Sequence, residues 1–120
     1  MSQHVVVVGR GIAGAMVAWK FAERGCRISW WGDGEPGASR VAAGMFNPVS
    51  FRRVVEVWNA SAHVANMRST LLAMEEAFGL QGALMHEVPV VKIFANGAYR
   101  QTWDERWATD HGVTQWAERG

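Results

Sequence analysis

A single cysteine, Cys26, denies the chain an intrachain disulfide and fits a reducing, cytoplasmic compartment. It also leaves no thiolate set for zinc. The four histidines, His4, His63, His86 and His111, fall at no metal-ligand spacing, so no metal is expected. Charge of one sign is scarce as well: 12 Lys and Arg stand against 11 Asp and Glu, for a net charge of +1. Without a concentrated basic face, neither nucleic acid nor a membrane surface is an expected partner. No apolar run reaches the ~18 residues that span a bilayer. The valine-rich opening breaks at Gly9 and Arg10, too early for a signal-peptide core. Neither a G-x-S-x-G nucleophile turn nor a G-K-[ST] phosphate loop occurs. What the 120 residues do hold in quantity is 13 glycines and 7 tryptophans. The length allows one domain and little more, and the tryptophans suit buried or cleft-lining surfaces.

The glycines fall in a pattern. His4 to Val8 is a short β-branched run, as in a strand of a parallel sheet buried on both faces. From Ile12 to Arg24 the residues Ile12, Ala15, Met16, Trp19 and Ala22 form a helical stripe, with Gly25 placed to stop it. Arg27 to Trp31 reads as a second strand. Strand, turn, helix and strand within about thirty residues make a βαβ unit with a right-handed crossover. Gly32 to Pro48 is rich in Gly, Ala, Ser and Pro, which reads as a connector or as a loop needing close backbone approach to a ligand. A helix is expected over roughly Trp58 to Phe78, with Val64, Met67, Leu71, Met74 and Phe78 on one face and Gly79 at its end. Glu87 to Phe94 reads as a strand, with Pro89 at an edge or at its start. After the turn at Asn96-Gly97, a helix is expected up to Gly112.

Gly9-Arg10-Gly11-Ile12-Ala13-Gly14 is G-x-G-x-x-G between a strand and a helix, the context that gives this otherwise weak pattern meaning. Gly9 permits the tight turn, Gly11 lets a pyrophosphate approach the backbone, and Gly14 allows helix and strand to pack closely. The helix N-terminus offers unpaired N–H groups and a positive dipole end. About twenty residues on, an acid normally grips the adenosine ribose. Here Gly32 and Asp33 occupy that place, so Asp33 serves one position late or is a solvated turn residue. Glu35 is a poorer candidate, and Arg10 either reaches a phosphate or, more simply, points to solvent.

With its second loop, "GASRVAAGMFNPV", the chain resembles the D-amino-acid oxidase and glycine oxidase superfamily of FAD-dependent oxidoreductases over Val5 to about Val49. The second motif favours FAD over NAD. The resemblance implies an α/β fold, with an incomplete Rossmann-like FAD/NAD(P)-binding βαβ unit and flavin loop over residues 1–50. Residues 51–120 would form the helix-strand-helix start of an α+β substrate domain. It implies backbone contacts from Ile12 and Ala13 to the pyrophosphate, and Gly32 and Asp33 near the ribose. Ala38, Ser39 and Arg40 would run along the middle of the cofactor, with Ala43, Gly44 and Met45 beside the flavin. Small residues suit such a ligand, because the main chain can run against it and hydrogen-bond to it.

Family members are much longer, so the chain is expected to be an N-terminal portion without most of the substrate domain. The implied reaction takes a hydride from an amine or amino-acid substrate to flavin N5. No general base can be assigned, and whether the chain alone is an enzyme stays open. Glu75 and Glu76 read as a solvated helix face, Arg52 and Arg53 as surface arginines, and Cys26 as a small core residue. The rival readings are an NAD(P)-dependent dehydrogenase sharing only the first motif, and a non-catalytic nucleotide-binding module. A homo-oligomer that completes the sheet is a further reading.

Overall fold

The computed structural model describes residues 3–35 and 37–119. It divides into two compact units, residues 1–46 and 47–120. In the first, strand β1 (His4–Val8) leads through the glycine turn into helix α1 (Ile12–Ala22), and strand β2 (Arg27–Trp31) follows. The two strands are parallel and in register from His4↔Arg27 to Val8↔Trp31. The chain therefore has an α/β fold with a partial parallel β-α-β unit. The β-branched side chains of β1 suit a pleated ladder. Helix α1 ends as the glycine position requires, with Gly25 at φ +75° and the Cys26 N–H donating to the Phe21 carbonyl at 3.1 Å. A left-handed residue just past a helix costs least when it is glycine. Lys20 and Glu23 pair at 2.9 Å on the exposed face of the last turn, a contact of little energetic weight.

The expectation that β1 is buried on both faces is corrected. Only Val7 is buried, while Val6 and Val8 are 55% and 82% exposed. The described sheet has two strands, and one helix can cover only one side of them. A short helix, α2 (Ala38–Val41), interrupts the connector read from sequence.

The second unit opens on strands β3 (Val49–Ser50) and β4 (Val55–Glu56), an antiparallel pair that the sequence reading did not contain. Val54 turns the chain between them at φ +50°, a strained conformation for a β-branched residue. Its complete burial holds it there: Val54 packs with Val49, Trp103 and Val113 in the core, flanked by Phe51, Tyr99, Trp107, Trp116 and Ala117. Helix α3 (Ala60–Phe78) forms close to its expected bounds and closes on Gly79 at φ +65°. Helix α4 (Gly97–Thr109) starts at Asn96, whose side chain accepts from the Tyr99 N–H. Asp110 breaks the run and caps the short α5 (His111–Thr114) through the Gly112 N–H. Glu87 to Phe94, expected as a strand, forms neither strand nor helix.

Glu75 corrects another expectation. Far from facing solvent, it is 7% exposed, and its carboxylate accepts from the N–H groups of Leu84 at 2.7 Å and Gly82 at 3.1 Å. The loop after α3 is thereby tied back to the helix. These two donors, Leu84 first, hold the carboxyl below its ordinary value of 4.5, because they favour the charged form. A depressed folded pKa contributes stability above the unfolded value, and that contribution is lost as pH falls through the folded one. Slow amide exchange at Gly82 and Leu84 is therefore expected near neutral pH and in mild acid. Protection in excess of that in Glu75→Ala should disappear on further acidification. Equal protection in the variant at neutral pH would refute the tie.

Candidate functional site

The glycine turn is built by a few contacts. Gly9, at φ +107°, adopts a backbone conformation open to glycine and strained for other residues. Its N–H donates to the Trp31 carbonyl at 2.9 Å. Its own carbonyl accepts from the Trp30 indole Nε1 at 2.7 Å. A Cβ on Gly14 would lie 2.1 Å from that same carbonyl oxygen, so helix and turn approach as closely as backbone atoms allow. Trp30 is the residue that sequence reasoning missed here. It was read only as a strand residue, although its pairing with Val7 places its indole beside the turn.

Gly11 occupies the cap position of α1 with no side chain to satisfy the first amides. Helix geometry leaves the N–H groups of the first turn without internal acceptors, and the dipole adds partial positive charge there. One of these amides has found a partner. The Ile12 N–H donates to the hydroxyl oxygen of Ser39 at 3.0 Å, across 27 residues of sequence. The contact brings the two loops singled out in the sequence together at one point. Ile12 is 65% exposed, so the start of α1 lies at the surface of this unit. The Ser39 hydroxyl takes the place that an anionic oxygen would take at a helix start.

A family model described as FAD dependent oxidoreductase matches residues 4–120. The chain belongs to the FAD-dependent oxidoreductase family. No curated protein and no solved structure matches it.

In this family member the remaining candidate residues are distributed unevenly around the turn. Arg10 is exposed, as its solvent-facing reading expects. Its side chain lies across Gly32, where a Cβ would meet Arg10 Cγ at 2.4 Å, and its guanidinium sits 5.9 Å from the Trp30 ring centroid. Asp33 accepts from the Glu35 N–H at 3.2 Å, a local turn bond of the kind aspartate makes with its own backbone. Ala38, Ser39 and Arg40 lie on exposed α2. Ala13 is exposed beside Ile12, and Ala43, Gly44 and Met45 are exposed too, Met45 by 75%. No hydrogen bond or ion pair among the described residues ties Ala43, Gly44 or Met45 to the turn.

An open, mostly apolar cleft of about 450 Å³ in this unit is lined by Val5 to Val8, Val17 and Phe21 and by Ala13 and Gly14 of the glycine motif. Its wall carries no charged or hydrogen-bonding side chain, so main-chain groups are all it could pair with a polar ligand. Arg10 within the turn and Arg40 on α2 are both exposed.

Proposed function

We propose that the chain is the dinucleotide-holding part of an FAD-dependent amine or amino-acid oxidoreductase, with the FAD diphosphate across Gly9–Gly14 and Ser39. The reading rests above all on the Ile12 amide at the start of α1 and its 3.0 Å partner, the Ser39 hydroxyl. A hydroxyl both accepts and donates. It can satisfy the amide in the free protein and turn to donate to a phosphate oxygen when one arrives. The cradle fits: the turn leaves no room for a Cβ at Gly14, and the helix N-terminus favours negative charge. When bound, the cofactor supplies hydride acceptance from the substrate carbon that carries the amine.

The roles assigned to the chain's own residues are binding and positioning. Ile12 and Ala13 offer main-chain N–H groups, and Arg40 adds positive charge beside Ser39. Gly32 and Asp33 lie by the ribose, and Ala38 lies along the middle of the cofactor. Ala43, Gly44 and Met45 lie beside the ring, where a backbone unencumbered by large side chains can approach a flat ligand.

A second reading draws on one observation. Arg10 lies over Gly32 at the end of β2, where an acid is expected, and an arginine there suits a 2′-phosphorylated ribose. The two are separated by titrating the purified chain with FAD and with NADP, following flavin absorbance and calorimetry. The FAD reading expects saturable FAD binding and none of NADP. The converse result would replace it. Under the FAD reading Ser39→Ala loses one hydrogen bond to a charged group, worth about 1.5–3 kcal/mol, so FAD affinity should drop at least about tenfold. Unchanged affinity would remove Ser39 from the site.

A further inference from the structure

The glycine turn is gripped by a side chain that belongs to no part of the glycine motif. Trp30 stands opposite Val7 in the parallel ladder, and its indole Nε1 donates to the Gly9 carbonyl at 2.7 Å. The next residue of β2 holds the other side of Gly9, whose N–H donates to the Trp31 carbonyl at 2.9 Å. A Cβ on Gly14 would lie 2.1 Å from the Gly9 oxygen and 3.4 Å from the indole nitrogen, so carbonyl, indole and helix α1 meet at one point. The indole is held in turn by the loop it grips. The Arg10 guanidinium lies over the ring, 5.9 Å from its centroid. This accounts for a glycine at position 32, where an acid is expected. A Cβ there would meet Arg10 Cγ at 2.4 Å, so any other residue would push Arg10 off the ring.

A trans peptide sets its C=O and N–H antiparallel, and the described chain holds no cis bond. With the Gly9 carbonyl turned in against Trp30 and Gly14, the N–H of the same peptide, on Arg10, is turned away from them. No hydrogen bond among the described residues uses that N–H. Gly9 itself does little to fix this peptide, because glycine takes either sign of φ about as readily. The grip on the carbonyl oxygen fixes it instead.

We propose that Trp30 is a positioning residue for the cofactor turn: its indole N–H fixes the Gly9–Arg10 peptide and so presets the turn in the form that receives the diphosphate. The assignment rests on the reading of this turn as the dinucleotide cradle. A turn preset in its binding form avoids an ordering cost when the ligand arrives. One that holds that form only a tenth of the time binds about tenfold more weakly.

Trp30→Phe keeps an aromatic ring near Arg10 and removes the donor. The full chain and this variant are titrated with FAD, and urea midpoints show that both are folded under the titration conditions. FAD affinity should fall about tenfold in the folded variant. A merely structural tryptophan would lower the urea midpoint and leave the affinity of the folded protein at the parent value. Without FAD, the Gly9 carbonyl and Arg10 amide resonances should move in Trp30→Phe. In the parent, the assigned Trp30 indole proton should exchange with water more slowly than that of exposed Trp58, a measurement that needs no variant to fold. Equal FAD affinity in folded Trp30→Phe, or a Trp30 indole proton exchanging as fast as that of Trp58, would overturn the assignment and leave the cradle reading in place. A parent chain that binds no FAD would overturn the cradle reading and the positioning role together.

Discussion

Gly14→Ala should abolish flavin retention and cost the βαβ unit about 3 kcal/mol, the upper end of what overpacking usually costs. The reason is the identity of what the new methyl group meets. It would lie 2.1 Å from the Gly9 carbonyl oxygen and 3.1 Å from the carbonyl carbon, and both are backbone atoms that cannot rotate away. That carbonyl is also held from the other side by Trp30 Nε1 at 2.7 Å. Relief therefore requires the turn to open or α1 to move off β1, and either displaces the amides proposed to hold the diphosphate. Gly11→Ala supplies the contrast. Its methyl group would meet the Ser39 hydroxyl at 3.1 Å, the end of a side chain with its own rotamers. Stability should barely change, and FAD affinity should fall only through the disturbed Ser39. Urea denaturation and flavin absorbance on the two variants measure both quantities. A Gly14→Ala protein that binds FAD as tightly as the parent would end the case for this turn as the cofactor cradle.

Much of this unit was legible in the sequence because local rules agree there. The valine run of β1, the three glycines and the stop at Gly25 each point to the same element order, and the observed bounds of β1 and β2 are those expected. The meeting of Ser39 with Ile12 was not legible, since no periodicity relates positions 27 apart. Two loops carrying compatible small residues gave the place but not the bond. Trp30 was hidden for a similar reason: strand alternation gives a side chain's face, not the carbonyl its indole reaches.

The second unit was read less well, and the failures have physical causes. Glu87 to Phe94 has the β-branched composition of a strand, yet strand propensity measures fit to a partner ladder, and the described residues supply none there. The β3–β4 pair is only two residues long on each side, too short for alternation to show. Glu75 looked like half of a solvated acidic pair. Its burial depends on where the loop at Gly82 and Leu84 returns, which α3 alone does not specify.

Trp103→Ala should have the larger effect of any single core change in residues 47–119, about 3–5 kcal/mol for removing a buried tryptophan. The described core contains four buried members, Val49, Val54, Trp103 and Val113, and the indole is by far the largest of them. Its removal would leave Phe51, Phe94 and Tyr99 without the ring they now pack against, at 6.1, 6.0 and 6.4 Å between centroids. Small domains keep only about 5–15 kcal/mol of stability, so this one change would consume a large share of it. Trp103→Phe should behave differently. The indole Nε1 is buried without a hydrogen-bond partner among the described residues, and an unmet buried donor costs about 1–3 kcal/mol. Phenylalanine sheds that donor while keeping part of the apolar contact, so relief of the unmet N–H offsets some of the cavity cost and the net loss should be far smaller than for alanine. Urea midpoints followed by far-ultraviolet circular dichroism would order the three proteins as parent and Trp103→Phe close together, with Trp103→Ala well below. If phenylalanine proved as damaging as alanine, the indole nitrogen would have to be bonded in solution, and Trp103 would hold the core through a polar contact instead of through its bulk.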